Sequence, residues 1–191
     1  MSTQETIPNA IGDLPILLKR EIEARALAPV YEIIKREFGQ EKARSILSEA
    51  VHEHSVAEGR AFAAQAEGGV SMRTFIDIQD LWSKGGALDH DVLAASDHAY
   101  DYQVHNCAYA DMYERLGLKE IGTILSCQRD YEFILGYDKD IVLERSPSIM
   151  MGNDHCLFRY RLRSEVGEDF GGEKDEPGKG YEVDEVSLES K

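Results

Sequence analysis

The chain is poor in positive charge, and it has no long apolar run. Its 191 residues carry 21 Lys and Arg against 36 Asp and Glu, which gives a formal net charge of -15. Binding to nucleic acids and anionic membranes needs Lys and Arg to neutralise phosphates, so neither is an expected partner. No apolar segment approaches the roughly 20 residues of a membrane helix, and the N-terminus lacks the basic and apolar regions of a signal peptide. We therefore expect a cytoplasmic protein.

Cysteine is also scarce, and its number is odd. Three cysteines without the regular spacing of a secreted scaffold indicate reduced thiols in a reducing compartment. All three lie within residues 105–160, a segment that also contains several other side chains capable of catalysis or ligand binding. The segment's candidate residues are His105, Cys107, Tyr109, Cys127, Asp130, Arg145, Cys156 and Arg159.

Length and composition predict one domain with a flexible segment at each terminus. At 42% hydrophobic residues, the chain can bury a core of ordinary size. Residues 1–12 are polar, and we expect a flexible arm there. Residues 165–191 are rich in Glu, Asp and Gly, which predicts an acidic disordered tail. The domain itself is then residues 13–164.

The first 70 residues show helical periodicity. Asp13 is the expected N-cap of a helix that runs to Phe38 and ends at Gly39. Residues 40–67 continue as a second long helix, ending at a Gly-Gly pair. Its many alanines indicate close packing, against the first helix or against another subunit. A homodimer through these N-terminal helices is therefore predicted.

Three large polar or aromatic side chains in the helical half are assigned structural roles. His52 and His54 lie two residues apart, on different helix faces, so bonded or exposed histidines are favoured over metal ligands. A third, shorter helix begins at Ser71 and carries Trp82, the only tryptophan. We expect Trp82 to anchor the core or an interface rather than to line a pocket.

The second half of the chain predicts a small antiparallel sheet and short helices. Residues 99–107 alternate, with Tyr100 and Tyr102 on one face and Asp101 and His105 on the other. Solvent or a polar cavity would explain the polar face. Residues 141–145 and 155–163 predict a hairpin, and residues 108–116 predict a short helix that ends at a glycine. The sequence thus predicts an α+β fold, with long N-terminal helices packed on a small antiparallel sheet.

Four ordered motifs resemble one enzyme family. They are Cys107-Ala-Tyr109-Ala with a following Leu-Gly, Leu-Ser-Cys127-Gln-Arg-Asp130, the apolar segment ending in Arg145, and Gly-x-x-x-Cys156-x-Phe-Arg159-Tyr. This pattern is similar to that of the L-2-amino-thiazoline-4-carboxylic acid hydrolases. The resemblance covers mainly the second half of the chain. Since the alternating strand ends in the family's Cys-x-Tyr-Ala motif, a cavity above its polar face is the favoured explanation.

The resemblance implies ring opening of a cyclic isothiourea that carries a carboxylate, with N-carbamoyl-cysteine as the product. Ser126 is read as an N-cap, which would place Cys127 in a helix's first turn, where backbone N–H groups favour a thiolate. Asp130, on the same helical face, would orient the amidine or activate water. A thiol nucleophile and an activated water both remain open. Without the resemblance, Cys127 would be read as a small packed residue.

The remaining candidates have supporting roles. Arg145 and Arg159 are candidate donors to the substrate carboxylate, and His105 is a candidate proton shuttle, although the family pattern does not fix that position. Cys107, Tyr109 and Cys156 are expected as substrate-contacting walls, and no cofactor or metal is expected.

A non-enzymatic alternative also stays open. The three thiols with a histidine could hold zinc in a binding module, although no Cys-x-x-Cys pair supports this. The layout and the G-x-x-x-C-x-F end strand also resemble small vinyl-reductase-like sensory domains. Such a module would hold a small ligand without transforming it.

Overall fold

The computed structural model describes residues 14–171, and these residues form an α+β fold, as predicted. The helices are α1 (Ile16–Phe38), α2 (Gln40–Ala63), α3 (Met72–Asp77), α4 (Asp80–Ser83), α5 (Ala108–Arg115), α6 (Lys119–Gly122) and α7 (Gln128–Tyr137). The strands are β1 (Leu88–Ala95), β2 (Ala99–Cys107), β3 (Ile141–Arg145) and β4 (Cys156–Leu162). A π-helical turn at Thr123–Cys127 joins α6 to α7, and short 3-10 turns occupy Ile149–Met151 and Arg163–Glu165.

The structure describes only part of the predicted N-terminal arm and C-terminal tail regions. The proposed arm at residues 1–12, the Asp13 N-cap and residues 172–191 lie outside the described residues. Residues 165–171 lie close to the sheet, since the Phe170 ring is 6.0 Å from the guanidinium carbon of Arg161. None of the helices within residues 14–171 is both long and apolar enough to cross a bilayer.

Helix α2 packs on α7 through small residues. Adding a Cβ atom to Gly59 would place it 2.1 Å from the Phe133 carbonyl oxygen, and one on Gly136 would lie 2.1 Å from the Val56 carbonyl oxygen. The two backbones therefore touch at a crossing that only glycine permits. The small residues of α2 thus have their main partner within the same chain. Gly136 lies inside α7, at a point where this crossing leaves no room for a side chain.

All four strands are antiparallel, in the order β1-β2-β4-β3. Strand β1 was not predicted, because it is an exposed edge strand without a regular apolar alternation. The pairing of β1 with β2 shifts at His105, where Asp89 opposes Asn106 but His90 opposes Val104. This bulge inserts one residue into β2, and it consequently reverses which face the following side chains occupy.

The two faces of the sheet differ in chemistry. The outer face carries a row of ion pairs, in which Arg161 bonds Asp101 and Arg159 bonds Glu144. The inner face is aromatic: Tyr102 stacks on Phe158, with ring centroids 4.5 Å apart. The helices cover this inner face.

Candidate functional site

A cavity lies between the inner face of the sheet and the helices. The centres of water-sized molecules can occupy about 70 Å³ within it, several times the ~10–15 Å³ that one water needs. Its apolar walls comprise Ile16, Phe75, Trp82, Leu88, Tyr102, Val104, Tyr109, Phe133, Met150, Phe158 and Tyr160. Its polar and thiol groups comprise Arg20, Glu58, Gln79, Cys107, Ser126, Cys127, Arg129, Asp130, Arg145 and Cys156. Six of the eight predicted site residues therefore share one cavity.

A buried ion pair crosses the cavity from helix to sheet. Arg145 Nη1 of β3 donates to Asp130 Oδ2 of α7 at 2.7 Å. The Arg145 side chain is 1% exposed and that of Asp130 is 23% exposed, so the carboxylate is the more accessible partner. The guanidinium carbon also lies 5.5 Å and 5.6 Å from the ring centres of Tyr131 and Phe158. These contacts fix the position of Arg145, and Asp130 faces the cavity.

Cys127 lines the cavity, but it does not begin a helix. The chain runs without interruption from α6 through the π-helical turn into α7, and Ser126 makes no N-cap. The predicted activation of Cys127 by a helix N-terminus is therefore wrong. Asp130, three residues further on, still lies on the same side of the helix, as the spacing predicted.

The π-helical turn directs two of its carbonyl groups toward arginines. Leu125 O accepts from Arg129 Nε at 2.8 Å, and Cys127 O accepts from Arg145 Nη1 at 3.4 Å. A widened turn disturbs the regular backbone bonding, and such turns are frequent at functional sites. Here the turn ties the Cys127 backbone to the ion pair.

The other two thiols are protonated near neutral pH. Burial raises the pKa of the Cys107 thiol to about 11. Burial also raises the pKa of Cys156, although the Ile149 backbone N–H, 3.1 Å from its sulfur, partly opposes this. The bulge at His105 is what turns Cys107 into the cavity, because strict alternation would place it on the outer face. Both thiols act here as walls.

The negative charge of the Asp130 carboxylate acts on five acidic groups that line the cavity. Burial raises the pKa of each of five neighbouring acidic groups, and the negative charge of Asp130 raises them further. These groups are Tyr102, Cys107, Tyr109, Cys156 and Tyr160. All five groups therefore stay uncharged near neutral pH, and Asp130 is paired with Arg145.

A second charged cluster was missed by the sequence reasoning. Arg20 of α1 donates to Glu23 at 2.7 Å and to Glu58 at 3.0 Å, and Arg129 donates to the same Glu23 at 3.0 Å. Both arginines are buried and line the cavity. The sequence does contain a feature that indicates this cluster, because Arg20 occupies the apolar stripe of α1, four residues after Ile16. Burial, followed by the charge of Arg20, lowers the pKa of Arg129.

Two predicted site residues lie elsewhere. His105 is exposed on the bulge, with Nε2 3.1 Å from Asp91 Oδ2. Arg159 is on the outer face of the sheet and bonds Glu144, so it cannot reach the cavity. The cavity predicted above the polar face of β2 is also on the other side: Tyr102 and Val104 face it, and Asp101 does not. The alternation separates the two faces of the strand, but it does not show which of them has a gap above it.

The donor groups do not gather into a metal site. Within residues 14–171, no three His, Cys, Asp or Glu side chains converge closely enough to hold an ion, so the zinc alternative gains no support. His52 Nδ1 lies 2.6 Å from Glu132 Oε2, and His54 Nδ1 lies 3.0 Å from Arg129 Nη1. Both histidines are bonded to partners, as the favoured interpretation held.

Trp82 combines the two roles that the sequence set against each other. Its ring contacts Phe62 and Phe133 at centroid distances of 6.2 Å and 5.2 Å, and it also lines the cavity. Tyr109 Oη donates to its carbonyl oxygen at 2.9 Å, joining α4 to α5 across the cavity wall.

Comparisons with known proteins identify the family of this chain. A search of curated proteins found no match. The phenol-responsive sensory domain of the transcription activator PoxR is similar, with 14% identity and a TM-score of 0.46 over 75% of this chain and 76% of that one. A trafficking protein particle complex subunit 3 from Naegleria fowleri, covalently bound to palmitic acid, has 14% identity and a TM-score of 0.43 over 76% of this chain and 95% of that one. A family model matches residues 19–160, and the chain belongs to the L-2-amino-thiazoline-4-carboxylic acid hydrolase family.

Proposed function

We propose that the protein hydrolyses a small cyclic isothiourea or amidine bearing a carboxylate, of the 2-aminothiazoline-4-carboxylate type. The observation that carries the proposal is the shared cavity of Cys127, Asp130 and Arg145, with the last two joined at 2.7 Å. The substrate is a zwitterion, with a cationic amidine group and an anionic carboxylate. Asp130 would bind the amidine, and the neighbouring Arg145 would bind the carboxylate.

Cys127 is the proposed nucleophile. Its sulfur adds to the ring carbon between nitrogen and sulfur, and its proton passes to Asp130. The bond between that carbon and the ring sulfur then breaks, and the released thiolate takes the proton. The product of this step is an open chain held through an amidine carbon on Cys127.

Water completes the reaction. It adds to the amidine carbon and gives a proton to Asp130, which acts as general base. The bond to Cys127 breaks, Cys127 takes up the proton from Asp130, the second proton of the water passes to the imine nitrogen, and the carbon becomes a urea carbonyl. The net change is addition of one water, which yields an N-carbamoyl-cysteine with a free thiol.

The test is ring opening of 2-aminothiazoline-4-carboxylate, followed by the appearance of the product thiol. We expect Cys127→Ala and Asp130→Asn each to lower kcat by about 10²-fold or more. His105→Ala and Arg159→Lys are the controls, because neither residue reaches the cavity; both should retain activity. Brief incubation with substrate, followed by acid quenching and intact-mass analysis, should show the amidine adduct on Cys127.

The outcomes separate the mechanisms. If Cys127→Ala keeps full turnover while Asp130→Asn is inactive, the nucleophile is a water activated by Asp130, and the thiol role is wrong. Binding of cyclic amidines without any ring opening would instead support the non-enzymatic binding module. Turnover lost in His105→Ala would contradict the position assigned to the site.

A further inference from the structure

The aromatic wall of the cavity is larger than the proposed substrate needs. Phe75, Trp82 and Phe133 all line it. Trp82 and Phe133 meet edge to face, with ring centres 5.2 Å apart, and Phe62 supports both at 6.2 Å and 5.4 Å. Rings locked in this way present a rigid apolar surface, since aromatic residues bury roughly 150–250 Å² each.

A simple thiazoline carboxylate has little to place on this surface. Its amidine and carboxylate groups are matched to Asp130 and Arg145, which leaves only the ring sulfur and one methylene as apolar parts. Ligand cavities generally bury most of their ligand's surface against apolar walls, and a few polar groups fix its orientation. The wall around Trp82 therefore lacks a counterpart in the smallest member of the substrate class.

We propose that the preferred substrate of this protein carries an aryl substituent on the five-membered ring, and that this substituent lies against Trp82 and Phe133. This inference rests on the proposed function for the polar half of the substrate. Phe133 follows Asp130 by three residues on α7, so one helix face presents both the carboxylate and the apolar ring. A single ligand with a polar head and an aromatic group would contact both.

The expected preference is large enough to measure. One methylene in an apolar pocket already changes kcat/KM by about 10-fold or more. A phenyl group on ring carbon 5 should therefore raise kcat/KM by at least about 10-fold over unsubstituted 2-aminothiazoline-4-carboxylate. The Kd should fall by a similar factor.

Trp82 supplies a direct binding signal, because it is the chain's only tryptophan. Its fluorescence in the wild-type protein should change as the 5-phenyl compound is added. Turnover of both compounds should be followed in parallel, and calorimetric titration gives Kd in variants that lack the indole.

Three variants test the position of the substituent. Trp82→Ala and Phe133→Leu should each remove most of the preference for the phenyl compound, and Trp82→Phe should keep it. Phe38→Ala is the matched control, since Phe38 is 70% exposed and does not line the cavity. Equal melting temperatures would show that the variants fold.

The outcomes distinguish this inference from the proposed function. If the unsubstituted compound is opened but the phenyl compound binds no more tightly, the inference is overturned and the hydrolase proposal stands. If neither compound is opened, yet the phenyl compound binds at least about 10-fold more tightly in a Trp82-dependent manner, the apolar subsite is supported and the hydrolase proposal fails. A phenyl preference unchanged in Trp82→Ala and Phe133→Leu would also overturn the inference.

Discussion

Asp130 of α7 and Arg145 of β3 form an ion pair of 2.7 Å in which the carboxylate is the more exposed partner. Arg145 is thereby held against the sheet and bonded to the backbone of Cys127. The pair links the helix that carries the thiol to the strand beneath it. It therefore has a structural role in addition to its proposed role in substrate binding.

Removing the carboxylate should destabilise the fold. We expect Asp130→Ala to lower the free energy of unfolding by about 3 kcal/mol, because the buried Arg145 would lose the carboxylate that accepts its hydrogen bond at 2.7 Å. The double variant Asp130→Leu/Arg145→Met should recover most of this loss, since an apolar pair of similar volume replaces both charges. Urea unfolding measures both. Asp91→Ala is the control, because its pair with His105 is exposed and should change stability by less than about 1 kcal/mol.

Alanine at the α2–α7 crossing should be poorly tolerated. Gly59→Ala would bring a methyl group to 2.1 Å from a backbone oxygen, so the helices must separate. We expect a loss of about 3 kcal/mol or more in the free energy of unfolding. Gly167→Ala is the matched control, with open space around it, and should be nearly neutral. Equal melting temperatures for the two variants would contradict the close crossing.

Alkaline pH should weaken the fold through Cys107. Its thiol pKa is about 11 in the folded chain, against an ordinary value of 9.0. The folded state therefore holds its proton more tightly than the unfolded state. Stability from this group is complete below about pH 9 and is lost as the pH rises through about 11, by roughly 2 to 3 kcal/mol. Urea unfolding at several pH values should show a steeper decline for wild type than for Cys107→Ala. Parallel curves would refute the assignment.

The N-terminal helices are predicted to pair two subunits through the outer face of α1. Leu18, Ile22, Val30 and Ile33 are 43 to 54% exposed and lie on one stripe. Arg25 and Glu32 are exposed along one edge of the stripe, two turns apart. In an antiparallel pair, Arg25 of each copy would therefore lie opposite Glu32 of the other copy. A homodimer is the expected state.

Light scattering coupled to size-exclusion chromatography tests this prediction. Ile22→Glu/Ile33→Glu should give a monomer. Phe38→Glu should leave the dimer intact, because Phe38 lies about 140° around the helix from Ile33. A monomeric wild-type protein, or a dimer that survives the double change, would contradict pairing through this stripe.

Local chemistry in the sequence was sufficient for much of this protein. The long helices, the strands at 99–107 and 141–145, and the neighbouring positions of Cys127 and Asp130 follow from periodicity and spacing. The ordered motifs also identified the family, and they contain seven of the eight candidate residues, of which six line the cavity.

Only the tertiary structure decided which face of β2 meets the cavity, because alternation separates two faces without saying what covers either. The tertiary structure also decided that a bulge turns Cys107 toward the cavity. It decided as well that Ser126 lies within a continuous helical segment and does not begin a helix, and that Arg20 of α1 lines the cavity. These features depend on contacts between segments far apart in the chain. A local sequence pattern cannot specify them, since the same pattern of residues is compatible with packing against a different segment.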